Sequence, residues 1–100
     1  MTIDWDRWRE ARERAESGGE SAALLDRFHD LMTTLTSKLK TGSTNERHLG
    51  KLRVFVDYVE GAFDRLGDQM FQPSYLLNVV GDAVVRAELP AREALDFMRV

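Results

Sequence analysis

The chain contains no cysteine, only two prolines and only two histidines in its 100 residues. Without cysteine it can form no disulfide, no thiolate nucleophile and no cysteine-based zinc site, and it suits a reducing compartment. No apolar run approaches the ~20 residues that a membrane span requires. The opening residues "MTIDWDRW" bring acids and no apolar core, so they do not read as a secretory signal. A glycine-rich phosphate loop and a G-x-S-x-G elbow are both missing. These absences argue against an enzyme and against a bound cofactor, and the expected setting is the cytoplasm.

The histidines do not supply a metal centre either. Asp26 and His29 stand three residues apart in "DRFHD", which is half of the carboxylate-histidine motif of di-metal bundles. Such bundles need a second copy and two further glutamates. His48 has Asn45 three residues before it and no carboxylate at that spacing, so no metal site is expected.

What remains is a composition of 43% hydrophobic and 31% charged residues, which is that of a folded chain rather than a disordered one. One hundred residues make a single domain. Both prolines, Pro73 and Pro90, fall where a helix would start, and Gly18-Gly19 and "TGSTN" at 41–45 mark breaks. The spacing of apolar residues predicts helices over about 4–17, 21–41, 45–70, 74–88 and 90–99. The first carries Trp5, Trp8, Ala11 and Ala15 as a narrow stripe. The second carries Leu25, Phe28, Met32, Leu35 and Leu39. The third holds a three-four alternation from Leu49 through Val56 and Phe63 to Met70, capped by Thr44 or Asn45. The fourth, "SYLLNVVGDAVVRAEL", is apolar nearly all round apart from the strip Asn78, Asp82 and Arg86. The fold class that follows is all-α: a small bundle of about five helices built on a long antiparallel hairpin.

Charge is segregated along the chain. Residues 38–53 carry Lys38, Lys40, Arg47, Lys51 and Arg53 against Glu46 alone, whereas the chain as a whole has a net charge of −3. This basic hairpin tip is the candidate contact for an anion or nucleic acid, because phosphate affinity follows excess cations. The lysines 38 and 40 suit the last turn of a helix, but Arg47, Lys51 and Arg53 oppose the dipole at the start of the next. The opening segment "DWDRWREARERAESGGE" is different: its four arginines face six acids. The spacings Arg9–Glu13, Glu10–Arg14 and Arg12–Glu16 predict ion pairs along one helix.

Apolar and aromatic side chains exceed what a domain of this size readily buries. Trp5, Trp8, Phe55, Tyr58, Phe71 and Tyr75 are therefore the candidate partner-binding residues, since aromatic anchors dominate interfaces. The functional expectation is a non-enzymatic helical interaction module (adaptor, regulator or accessory subunit) that binds a protein partner or itself as a homodimer. The alternative is a small nucleic-acid-associated subunit that contacts phosphates through residues 38–53. No membrane association is expected.

Overall fold

The computed structural model describes residues 3–42 and 45–90, and all of its regular structure is helical. Helix α1 spans Trp5–Arg14, α2 Glu20–Thr41, α3 Glu46–Leu66 and α4 Pro73–Ala87, with a 3-10 turn over Gly67–Phe71 between α3 and α4. Among the described residues there is no strand. The helix expected over 90–99 lies, apart from Pro90, outside the described residues.

Local chemistry sets most of the boundaries. The Asp4 carboxylate accepts the Asp6 amide at 3.0 Å and starts α1. Asn45 caps α3, its Oδ1 accepting the His48 amide at 2.8 Å. Each cap satisfies one of the amides that a helix start leaves without a partner. Gly42 ends α2 in the left-handed region at φ 61°, where glycine carries no steric penalty. Pro73 sits in the first turn of α4, where its missing amide costs nothing.

Two boundaries differ from the sequence expectation. Helix α1 stops at Arg14 rather than near residue 17, because Ala15 turns extended at φ −72°, ψ 143°. Beyond Ala15, the run Glu16-Ser17-Gly18-Gly19 has no apolar side chain to dock, so nothing offsets the entropy of further helical residues. Helix α3 stops at Leu66 rather than running to residue 70. Gly67 adopts φ 58°, ψ −135°, a conformation closed to residues with a side chain, and its amide bonds back to the Phe63 carbonyl. The 3-10 turn then swings Met70 and Phe71 into the core.

That core joins α2, α3 and α4. Phe28, Leu31, Leu52, Phe55, Leu76 and Val80 are at most 1% exposed. Helix α3 is the central element: it packs most extensively on α4 and also on α2 and the 3-10 turn. Helices α2 and α3 pack on each other, but this pair is not the sole base of the bundle, since the α3–α4 contact is larger. Helix α1 lies across α2 and the 3-10 turn.

Candidate functional site

The tryptophans of α1 pack on the protein's own second helix. The Trp5 ring stands edge-on to Trp8 at 5.9 Å and against Phe28 at 5.8 Å. His29 lies between them, 5.0 Å from Trp5 and 4.8 Å from Trp8. The Trp8 indole N–H donates to the Leu25 carbonyl at 3.1 Å. Both indoles are half-buried. The arginines of α1 complete the docking. Arg12 pairs with Asp26 at 2.8 Å, and Arg7 pairs with Asp68 at 2.7 Å while its guanidinium lies 5.6 Å over the Phe63 ring. Hydrogen bonding to Asp26 also raises the Arg12 pKa above its ordinary value.

These contacts replace the pairing expected along α1. Within the described residues the helix has one internal ion pair, Arg9 to Asp6 at 3.1 Å. Arg12 lies one turn after Trp8, on the edge that meets α2, and reaches across to a tertiary partner instead. The Asp26/His29 pair is likewise engaged elsewhere: Asp26 binds Arg12, and His29 packs edge-on to Trp5 and tilted against Trp8. Among the described residues, no group of three His, Asp or Glu side chains comes together as metal ligands would.

The other aromatic candidates separate. Phe55 and Phe71 are 0% and 4% exposed, so they are core residues and offer no surface to a partner. Both fall on the buried side of their elements, which is the position that apolar spacing alone assigns to the interior. Tyr58 is half-buried between α3 and α4, with its hydroxyl donating to Asp82 at 3.3 Å and the Arg86 guanidinium 4.9 Å from its ring centre. Tyr75 alone of the six is exposed, at 39%. The exposed apolar side chains that the sequence reading did not single out are Val54, Leu77 and Val85. Leu77, Gly81 and Val85 recur every four residues on α4, a row that its uniformly apolar composition conceals.

The basic tip divides as well. Lys51 is engaged within the fold: its ammonium donates to the Glu88 carbonyl at 3.1 Å, at the C-terminal end of α4. That is where a cation complements the helix dipole. Glu88 itself holds a left-handed conformation at φ 55°. Lys38 is half-buried on α2, while Lys40, Arg47 and Arg53 are exposed. Arg53 and Arg47 lie on the outer side of α3, a side they share with Asp57 and Asp64. The exposed face of α3 therefore carries both signs.

Beside this face, a cleft of ≈190 Å³ lies between α2 and α3, lined by Ile3, Trp5, Met32, Thr36, Val56 and Glu60. Partial burial raises the Glu60 pKa above its ordinary value, and repulsion from Asp57 and Asp64 adds to the rise. No described helix is long and apolar enough to cross a membrane. The chain matches no known family model, no characterised protein and no solved structure.

Proposed function

We propose that this protein is a non-enzymatic helical interaction module, an adaptor, regulator or accessory subunit, that works in the cytoplasm and associates with itself. The observation that carries this reading is the apolar surface that α3 and α4 leave exposed among the described residues. Among the described residues, Val54, Tyr75, Leu77 and Val85 are 46%, 39%, 44% and 76% exposed there, outside the buried core. Apolar side chains left outside a finished core are the material of an interface. The docked tryptophans, by contrast, serve the monomer's own fold. Sedimentation velocity at tens of micromolar tests the reading. A concentration-dependent shift from monomer to dimer is expected, and a monomer throughout would refute it.

A further inference from the structure

Helix α1 is the least embedded element of the fold. None of its residues is buried, whereas α2, α3 and α4 each bury six or seven. Ile3, just ahead of the helix, is the one buried residue among those described before α2. The docking rests on the half-buried indoles, the Trp8 hydrogen bond and two ion pairs at the surface, Arg7–Asp68 and Arg12–Asp26. Exposed ion pairs of this kind add little stability. Beside the C-terminal half of α1 a cleft of ≈350 Å³ stays open among Ala11, Ala15, Leu25, Phe71 and Pro73. A helix of ten residues does not hold together alone in water, so this arm needs a groove. The groove needs an arm as well, because Leu25 and Phe28 are buried beside the indoles.

The connection between arm and body depends on two glycines. Gly18 is left-handed at φ 79°. A Cβ on Gly19 would stand 3.0 Å from the Glu16 carbonyl oxygen, the same oxygen that accepts the Gly19 amide at 2.9 Å. Residues with side chains therefore disfavour this closed turn. Glu16 and Ser17 are exposed, and α2 starts at Gly19 without a side-chain cap. Drawn out, the five residues 15–19 span up to ~17 Å, enough to lift the arm off its own body. The interhelical contacts of α1 all lie beyond this hinge, on α2, the end of α3 and the 3-10 turn. Leu25, Asp26, Phe28, His29 and Asp68 would meet the same partners whichever copy supplied the arm.

We infer that two copies of this chain exchange α1, the arm of each lying in the groove of the other. The inference rests on the self-association proposed above and names the element that is traded. Exchange gives up no contact of the closed form, which makes it a low-cost route to a dimer. Its competitor is the chain's own arm, whose short tether gives an effective concentration in the millimolar range. At tens of micromolar the exchanged form prevails only with added contact between the two bodies, and the exposed apolar side chains of α3 and α4 supply it.

The test is an isotope-mixing cross-link on the full chain. The variant Arg12→Cys/Asp26→Cys puts one thiol on the arm and one on the groove of a protein that otherwise has none. Labelled and unlabelled protein are unfolded together, refolded at tens of micromolar and joined with a short bismaleimide. Mass spectrometry of the linked peptides then reports whether arm and groove came from one chain or two. Mixed-isotope links are expected, in a share that rises with protein concentration. Adding Gly18→Ala penalises the closed turn and not the extended hinge, so it is expected to strengthen dimerisation at least tenfold. Far-UV circular dichroism checks that each variant folds. If the protein dimerises in sedimentation but its links stay within one isotope, exchange is overturned while self-association stands. A protein that stays monomeric and yields no mixed link overturns both.

Discussion

At the scale of single residues, Trp8 illustrates how a side chain serves two needs at once. Its ring buries apolar area against His29, and its N–H satisfies the Leu25 carbonyl, so a polar atom is not stranded at the α1–α2 contact. That Trp5 and Trp8 share one side of α1 is visible in their spacing, but which surface they meet is not, since a three-residue interval is the same for an inner and an outer partner. Glu60 is the opposite case, a group whose surroundings work against its charge. Its folded-state pKa is raised chiefly by partial burial, with smaller contributions from Asp57 and Asp64. A raised carboxyl pKa means the folded chain holds the proton more tightly than the unfolded one. Stability therefore falls as pH rises from the ordinary value of 4.5 through the folded value, and the loss is complete above it. Glu60→Gln removes the penalty. It is expected to stabilise the protein at neutral pH by about 0.5 kcal/mol or less, because Glu60 keeps contact with water, and to make no difference at low pH. Thermal unfolding of both proteins at pH 7 and below pH 4 reads the difference.

At the scale of elements, the clearest features were those decided by neighbours in the chain. Asn45 as a cap, Gly42 as a left-handed stop and Pro73 as a first-turn residue each act within four residues of where they stand. The end of α3 was concealed because its apolar alternation continues unbroken through Leu66 to Met70, although Met70 reaches the core from a 3-10 turn. Periodicity reports which residues are buried and not which helix buries them. The helical glycines carry a prediction at this scale. Gly50, Gly61 and Gly81 all have open space where a Cβ would stand. Replacing any one by alanine is expected to stabilise the monomer by roughly 0.5–1 kcal/mol, measured in urea at a protein concentration too low for association. A loss of stability in any one of them would mean that its added methyl group meets a neighbour within the fold.

At the scale of the whole molecule, the decisive property is where charge sits relative to exposed apolar surface. Segregation of charge along the chain was evident in the sequence, and it pointed to residues 38–53 as a single basic tip. Folding breaks that tip apart, because helical geometry sends Lys51 toward α4 and Arg47 and Arg53 to the outer side of α3. A linear count of charge cannot see this, since residues two apart on a helix face different ways. The outcome is two surfaces with different physics: a row of Leu77 and Val85 on α4, and a face of alternating sign on α3. Association through the exposed apolar side chains is expected to hold or strengthen as sulfate is added, because excluded salts favour apolar burial. Dimerisation also couples to stability by mass action, so the melting temperature should climb with protein concentration. A melting temperature that stays constant over a roughly hundredfold range of concentration would count against self-association.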